Sequence, residues 1–582
     1  MKKKLLCTLI ALSAVIPAYS APGFIGNDPG VINRQNIEQL KDLNIEKNVI
    51  QTTEEEIERQ KKLEEKIDEK EIIKDGLTYN PQFLLKEIIF EGNTVISTKK
   101  LKKLTSKYEE TEIYLEDLAD LTLEISRYYQ KKGYITSFAY LDAQEIIDGV
   151  VTIKIHESKV AKKEVYGNKW EKDRYLENFV LGGFGLNYNN VFNAKALQGA
   201  MGELNTSPYM QGTVALSRDE KKDTEIKLNV QDRFPISLDM SWDDFGRNYT
   251  GRQRFTTILG IDNLTGYGDR IYGGAILAQD SKGAIAGYEI PIGRWGTKLG
   301  FDYSHSRMDL GGPYRPYGIH GYANDYIIRL TQPIKRTASQ EIYFTTAFDW
   351  LNSKTESTMY GSISDYSLRV LRSAVRGIFN DKYGRTLANI GVDIGFNGIG
   401  ASGNIDNGPR SSFYKIIAGL ARIQRLPKEC LAIARINGQY SAQALYPMEQ
   451  MFIGGAYSVR GYQPSELIGD YGVAGSFEVR TPIPGIKALF PKKYEDKLAR
   501  KIKLALFYDW GYVKEHHGLY NYETNFIHSV GVGSHINFTD EIALQIGIGI
   551  PLSRKLNENS GRLYFSLSTE LDKLFMKPIQ RL

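Results

Sequence analysis

Residues 456–463, AYSVRGYQ, hold a charged side chain in an unusual setting. Arg460 stands between an apolar residue and a glycine, within a long connection that is otherwise poor in charge and rich in Gly and Tyr. A guanidinium group stays charged at every pH a protein meets, and its planar fork of donors matches a carboxylate. The chemistry open to Arg460 is therefore the directional binding of an acid.

Other patterns that could do chemistry are weak. Residues 398–403, GIGASG, match the nucleotide-binding pattern G-x-G-x-x-G, but they join two predicted strands and no helix follows. The seven His residues are dispersed, with His516 and His517 in a predicted outer loop, and neither H-E-x-x-H nor G-x-S-x-G occurs. Cys430 is interpreted as a packed thiol, with a reactive or intermolecular role as the open alternative. We therefore predict no enzyme, no metal site and no cofactor.

The first 20 residues have the pattern of a secretory signal peptide. Residues 2–4 are Lys, an apolar run covers residues 5–18, and residues 18–20 offer a small-x-small cleavage site. We expect the mature chain to begin at Ala21 and to leave the cytoplasm. The formal net charge of +5 is small for 582 residues and its basic residues are scattered, so binding of nucleic acid is not expected.

The second half of the chain alternates in hydropathy. After the signal no segment approaches the ~18 apolar residues of a membrane helix. Instead the 55 Gly and 37 Tyr concentrate after residue 235 in short alternating runs, such as IALQIGIGI at 542–550. About sixteen such runs begin between residues 236 and 562, with mostly short connections on one side and long ones on the other. An even number of such strands predicts a transmembrane β-barrel at 236–582 rather than a soluble sandwich.

The part before the barrel has a different character. Residues 81–157 predict a small α/β module in the order β-α-α-β-β, and residues 158–235 a looser second copy. Residues 46–80 are so rich in charge that a solvated linker is expected. Residues 21–45 contain a short amphipathic helix that must be buried elsewhere in the protein; its candidate contact residues are Ile32, Arg34, Gln35, Ile37 and Leu40.

Several motifs, in their order along the chain, resemble the transporter component of two-partner secretion, the TpsB family, in the superfamily that also holds the BamA-type barrel insertases. The motifs are GYIT at 133–136, WDDFGRNYTGRQR at 242–254, YEIPIGRWGT at 288–297, SVRGY at 458–462, LIGDYGVAGSFEVRTP at 467–482 and FYDWG at 507–511. The resemblance implies a mainly β protein: a plug helix, a linker, two POTRA domains and a 16-stranded transmembrane β-barrel. One departure is the C-terminus LFMKPIQRL, where a terminal aromatic is usual and Phe575 is the substitute.

The same resemblance places the connection at about 446–473 inside the pore. Alternation along IKLALFYDWG turns Asp509 into the lumen, where Arg460 is then expected to meet it. Gly461 and Gly511 would let the two backbones approach. The candidate loop–barrel lock comprises Val459, Arg460, Gly461, Tyr462, Phe507, Asp509 and Gly511. A surface arginine and an unrelated lumen acid are the plain alternative.

The resemblance further implies a Gram-negative outer-membrane transporter that secretes a large unfolded exoprotein, haemagglutinin-like or haemolysin-like, without nucleotide. Expected partners are the N-terminal secretion domain of that exoprotein, outer-membrane lipid, and the barrel-assembly machinery during biogenesis. We expect the first POTRA domain to receive the exoprotein by β-augmentation on the strand edges 134–141 and 150–155, through Tyr134, Ile135, Thr136, Val151, Ile153 and Ile155. A BamA/TamA-type assembly factor, with more POTRA modules and no plug, is the alternative; a porin would lack the modules.

Overall fold

A computed structural model describes Arg34 and residues 81–571, except 207–208, 233–234, 293–295, 338, 404–407, 484, 486–500, 517–523, 540 and 554–560. The predictions for the signal peptide, the linker, the plug residues Ile32, Gln35, Ile37 and Leu40, and the C-terminal tail lie outside the described residues. No helix within the described ranges combines the length and the apolar character needed to cross a membrane.

The first module packs two helices, α1 (Thr98–Thr105) and α2 (Leu115–Lys131), against a sheet. Its strands are β1 (Gln82–Leu85), β2 (Glu87–Glu91), β3 (Thr111–Tyr114), β4 (Phe138–Tyr140) and β5 (Val150–His156). Strand β5 lies between β2 and β4, while β1 pairs with β3. Leu118, Leu121 and Ile125 recur at helical spacing on α2 and are buried in the core of this module.

The prediction that residues 150–155 form an exposed strand edge is wrong. Strand β5 is the central strand, parallel to β2 on one side and antiparallel to β4 on the other. Its alternating sequence VVTIKIH turns Val151, Ile153 and Ile155 into the core, where they are buried. A central strand has both backbone edges paired already, so no added strand can reach it.

The other predicted edge is a strand only over Phe138–Tyr140. Tyr134, Ile135 and Thr136 precede it in a turn, because the helix α2 ends nearby and the chain must reverse. The amide of Ala139 on β4 donates to Ser126 Oγ of α2 at 2.9 Å. This edge is therefore short and partly capped by its own module.

The second module has the predicted order with an irregular first helix. Its elements are β6 (Val160–Tyr166), a helical segment made of Asp173–Tyr175, a π-turn at Leu176–Leu181 and a 3₁₀ turn at Gly182–Phe184, then α3 (Ala194–Thr206), β7 (Met210–Arg218) and β8 (Thr224–Asp232). Strand β8 lies between β6 and β7, so β7 is an edge strand. The side chain of Asn205 binds both backbone groups of Gly212 on β7, at 2.7 and 3.2 Å.

The predicted 16-stranded barrel is confirmed as a closed sheet of neighbouring antiparallel strands. Its strands are β9 (Ile236–Asp243), β10 (Arg254–Asp262), β11 (Arg270–Ala278), β12 (Ser281–Ile292), β13 (Thr297–Asp309), β14 (Ile319–Thr337), β15 (Gln340–Ser357), β16 (Gly361–Asp381), β17 (Gly384–Gly395), β18 (Phe413–Leu426), β19 (Cys430–Ser441), β22 (Tyr471–Pro482), β23 (Ile502–Lys514), β24 (Phe526–Asn537), β25 (Ile542–Pro551) and β26 (Arg562–Glu570). On β26, Leu563 and Leu567 are exposed outward while Tyr564 and Ser566 are buried, as the alternation predicts.

The connection between β19 and β22 folds inward and carries its own short hairpin. We call residues 442–470 the inserted loop; it begins before the predicted residue 446 because β19 ends at Ser441, and it ends before 473 because β22 begins at Tyr471. Within it, β20 (Met451–Ile453) pairs antiparallel with β21 (Leu467–Gly469). The hairpin fixes the ends of the segment that carries Arg460.

The second module rests on the turn between β10 and β11. The amide of Lys172 donates to the carbonyl of Gly266 at 3.2 Å, and Asn263 Nδ2 donates to the carbonyl of Trp170 at 3.1 Å. Glu171 is buried in this contact, where its Oε2 has no hydrogen-bond partner among the described residues. Burial, together with the nearby carboxylates of Asp232, Asp262 and Asp269, raises the pKa of Glu171 to about 8.

Docking of the second module should therefore weaken with rising pH. The docked pKa of Glu171 is about 8 against an ordinary 4.5, so the stabilisation is complete below pH 4.5 and is lost as the pH rises through 8. The loss amounts to at most about 1.4 kcal/mol per pH unit. Thermal unfolding of the detergent-solubilised full chain should show a lower Tm at pH 9 than at pH 6, and Glu171→Gln should reduce that difference.

Glu177→Gln provides the matched control for this prediction. Glu177 lies on the same segment, but its carboxylate accepts from Tyr188 at 3.5 Å, a contact within the module. Its variant should keep the pH dependence of the unaltered protein. A Glu171→Gln variant with an unchanged pH dependence would contradict the assignment.

Candidate functional site

The lumen side of β22 and β23 presents two acids. Their antiparallel register sets Ser476 opposite Asp509 and Glu478 opposite Phe507. Asp509 is fully buried and Glu478 nearly so, whereas Tyr508, between Asp509 and Phe507, is exposed on the outer face. The alternation read from the sequence thus places the acids on the lumen face, and each requires a partner because a buried charge without one is costly.

Arg460 supplies that partner. Its Nε donates to Asp509 Oδ2 at 2.7 Å and its Nη2 to Asp509 Oδ1 at 2.8 Å, a bidentate pair. Its Nη1 donates to Glu478 Oε2 at 2.5 Å, and its backbone amide also donates to Asp509, at 3.1 Å. The guanidinium lies 3.4 Å from the centroid of the Phe507 ring. A lysine could not make these contacts together, since they use the fork and the flat face of one guanidinium.

Gly461 and Gly511 both permit close approach, the first to the backbone of β25 and the second to a side chain of the inserted loop. Gly461 has φ +102°, and a Cβ on it would lie 3.1 Å from the carbonyl carbon of Gly549 on β25. A Cβ on Gly511 would lie 3.0 Å from Cδ1 of Ile453 in the inserted loop. The expectation that these glycines bring the Arg460 and Asp509 backbones together is therefore corrected: one seats the loop on β25 and the other seats β20 on β23.

Apolar side chains of the inserted loop surround the ion pair. Val459 and Tyr462 are buried with Ile453 in one cluster that also includes wall residues of β23 and β24. The hydroxyl of Tyr462 donates to the carbonyl of His528 on β24 at 3.0 Å. The seven residues of the predicted lock thus lie in one region, where the loop contacts the wall from β22 to β25.

A second charged cluster lies under the start of the inserted loop and was missed by the sequence reasoning. Glu449 is fully buried; its carboxylate binds Arg372 Nη2 at 2.7 Å and Lys415 Nζ at 2.6 Å. Arg372 also binds Asp349 and Asp393 on neighbouring strands. Glu449 stands in a loop poor in charge, as Arg460 does, so its position is a sequence signal for Glu449 itself, but not for its partners on other strands.

The predicted plug residue Arg34 reaches the same cluster. Its Nη1 donates to the carbonyl of Met448 at 2.8 Å and to Glu449 Oε2 at 3.2 Å. Arg34 has helical backbone geometry. A residue from the N-terminal segment therefore stands inside the barrel, against the inserted loop.

Catalytic or metal chemistry gains no support at other sites. Among the described residues no three His, Cys, Asp or Glu side chains are grouped so that they could hold a metal ion. Cys430 is partly exposed, with its Sγ 3.3 Å from Thr481 Oγ1 on β22. The motif GIGASG, residues 398–403, lies in the connection between the barrel strands β17 and β18.

Two family models match the chain. One, described as haemolysin secretion/activation protein ShlB/FhaC/HecB, matches residues 222–536, more than half of the chain. The other, described as POTRA domain, ShlB-type, matches residues 83–158, the first module. The two matched ranges cover the first module, the inserted loop, and the barrel wall from β9 nearly to the end of β24.

Individual proteins give the same result. The chain is 26% identical to the outer membrane transporter CdiB of Dickeya dadantii over 414 residues, 68% of this chain and 72% of that one. It is 24% identical to the heme/hemopexin transporter protein HuxB of Haemophilus influenzae over 496 residues, 83% of this chain and 85% of that one. The solved structure of CdiB from Escherichia coli matches with a TM-score of 0.73 at 17% identity, covering 92% of this chain and 97% of that one. The structural match shows a shared fold.

Arg460→Ala should unseat the inserted loop while the barrel still assembles. The substitution leaves two buried acids without their shared cation, a cost of about 3–5 kcal/mol when one partner of a buried pair is removed. Asp509→Ala should cost less, because Arg460 keeps Glu478. The double variant should be no worse than Arg460→Ala, since both changes break one unit. The rate of chymotrypsin cleavage at Tyr457 and Tyr462 in the folded, heat-modifiable protein measures how far the inserted loop has left the wall.

Arg422→Ala is the matched control, because Arg422 forms a bidentate pair with Asp381 away from the inserted loop, at 2.6 and 3.1 Å. The inserted loop of the Arg422→Ala variant should resist chymotrypsin as it does in the unaltered protein. Arg460→Lys should fall between Arg460→Ala and the unaltered chain. Full protection of the loop in Arg460→Ala would leave the pair without a role in seating it.

Proposed function

The chain belongs to the ShlB/FhaC/HecB family of haemolysin secretion/activation proteins, the TpsB transporters of two-partner secretion, and from this premise we propose that it carries a large unfolded exoprotein to the cell surface. The protein is an outer-membrane β-barrel transporter, and its POTRA domains lie in the periplasm. The family is one of secretion channels and not of enzymes. This family assignment does not support the alternative, a BamA/TamA-type assembly factor.

The observation that carries the proposal is the position of Arg34 in the lumen. It is held there by polar contacts, to the carbonyl of Met448 and to the carboxylate of Glu449. Polar contacts can be exchanged for contacts with water when a segment leaves a hydrated pore, whereas an apolar core cannot. The N-terminal segment thus acts as a removable plug that leaves during transport.

Transport through this pore needs no nucleotide in the proposal. The periplasm holds no ATP, and the one nucleotide-like pattern lies in a connection between barrel strands. We infer that folding of the exoprotein outside the cell draws the rest of the exoprotein outward through the pore. The exported protein is an adhesin or a cytolysin with an N-terminal secretion domain.

We place the receiving edge for the exoprotein on β7 instead of the first module. Asn205 binds the backbone amide and carbonyl of Gly212, so these two groups point away from β8. In an antiparallel ladder every second residue points its backbone groups the same way, so those of Val214 and Leu216 also point away from β8. In the first module, by contrast, β5 is central and Ala139 on β4 is capped by Ser126. An added strand on β7 would be read through its backbone, which suits an unfolded protein of any sequence.

The transport proposal can be tested with the purified chain in liposomes. An exoprotein diluted from urea should become protected from external protease inside the vesicles, without nucleotide. Cysteines placed at Arg34 and Met448, in a Cys430→Ser background, should be joined by a short bismaleimide, because their side chain and backbone are in contact. The joined protein should transport little, and the unjoined double-cysteine protein should transport normally. Equal transport by both would contradict a plug that leaves.

The receiving edge can be tested with Leu216→Pro in the full-length protein. Proline removes one outward amide without breaking the ladder to β8, so binding of the exoprotein's N-terminal domain should fall about tenfold, roughly one lost hydrogen bond. Leu216→Ala keeps the amide and should bind nearly as the unaltered chain does. Normal binding by Leu216→Pro together with weak binding by Ala139→Pro would move the receiving edge to the first module.

A further inference from the structure

Among the described residues, the ladder that joins the first and last strands of the barrel is its shortest. β9 and β26 pair over five residues, from Ser566 with Asp243 to Glu570 with Asp239. Every other neighbouring pair of barrel strands is paired over eight residues or more. Because β9 ends at Asp243, residues 562–565 of β26 extend past it. Their backbone groups on that side need partners from elsewhere.

The segment that follows β9, part of the WDDFG motif, supplies those partners. The amide of Asp244 donates to the carbonyl of Phe565 at 3.2 Å. In return, the amide of Phe565 donates to Asp244 Oδ1 at 2.9 Å, so a side chain continues the ladder where the backbone has turned away. Beyond it, Arg562 Nη2 donates to the carbonyl of Gly246 at 2.8 Å. The outer half of the seam is thus closed by a loop.

The same segment contacts the inserted loop. The ring of Phe245 lies edge-on to Tyr564 of β26, with centroids 6.1 Å apart, and to Tyr457 of the inserted loop, at 5.5 Å. The hydroxyl of Tyr564 accepts the amide of Gly461 at 2.7 Å and donates to the carbonyl of Tyr462 at 2.9 Å. The last strand therefore binds the two residues that follow Arg460.

We propose that Asp244, Phe245 and Tyr564 form a seam clasp, through which the pairing of the first and last strands and the seating of the inserted loop depend on each other. Phe245 and Tyr564 make their full set of contacts only when both the seam and the loop are in place. Whatever favours one arrangement must favour the other to the same extent, because coupling between two equilibria is reciprocal. Displacing the loop during transport would therefore loosen the seam, and the barrel would widen there.

This clasp goes beyond the proposed function, since neither the identity of the exoprotein nor the receiving edge enters it. Arg460 offers a test from a distance. Its hydrogen bonds go to Asp509, Glu478 and Ser476, on β22 and β23, and none goes to β9 or β26. Arg460→Ala therefore loosens the loop without removing any of these bonds at the seam itself.

The measurement is hydrogen–deuterium exchange of the full-length protein in detergent. In Arg460→Ala, the amides of residues 239–243 and 566–570 should exchange on the order of tenfold faster, within the usual range of coupling between two sites. The ladder between β14 and β15 should not change. Arg329→Ala is the matched control, because the ion pairs of Arg329 with Glu289 and Asp302 include no residue of the inserted loop, of β9 or of β26, and it should leave the seam as it is.

Two further variants keep the test decisive. Tyr564→Phe retains the ring beside Phe245 and removes only the hydroxyl, so it should accelerate exchange in the loop, at 456–463, as well as at the seam. If Arg460→Ala fails to assemble, Tyr457→Leu repeats the test from the loop side by removing the ring contact with Phe245. Faster exchange in the loop with an unchanged seam, in whichever of these loop variants assembles, would overturn the proposal.

Discussion

Charge buried inside the barrel wall is the constraint on which the arrangement of the lumen depends. Asp509 and Glu449 are both fully buried, one on the wall and the other on the inserted loop. A buried carboxylate costs several kcal/mol unless a cation binds it closely. The wall acid is satisfied by Arg460 of the loop, and the loop acid is satisfied by Arg372 and Lys415 of the wall. Loop and wall thus each complete the other.

The two anchors of the inserted loop have opposite polarity. Near its start the loop presents an anion, Glu449, to wall cations, and further along it presents a cation, Arg460, to the wall acids Glu478 and Asp509. A loop shifted along the wall would bring like charges together and leave others unpaired, so alternative seatings are penalised. The charges therefore select one position, while Val459 and Tyr462 add burial between them.

Much of this structure can be read from the sequence, and the failures have physical causes. Alternation with period two gives the barrel strands, since it reports which face is apolar. It cannot tell an edge strand from a central one, which is why Val151, Ile153 and Ile155 were misplaced. The contact of Arg460 with Asp509 was accessible because alternation turned Asp509 into the lumen and the family resemblance placed the loop of Arg460 inside the pore. The Glu449 cluster was not, because its members come from separate strands and the N-terminal segment, and only the closed barrel brings them together.

Departure of the inserted loop would leave Asp509 of the wall without its cation, while the other wall charges keep partners of opposite charge. Without Arg460, Glu478 keeps Arg480 at 2.6 Å, and Asp509 keeps the hydroxyl of Ser476 at 2.7 Å. Without Glu449, Arg372 keeps Asp349 and Asp393. The electrostatic cost on the wall therefore falls mainly on Asp509, whereas water takes up the charges of the segments that leave, and Glu449 would retain a cation if Arg34 moved with it. A wall that is largely satisfied by itself can stay folded while its contents move, as a pore that passes a protein chain requires.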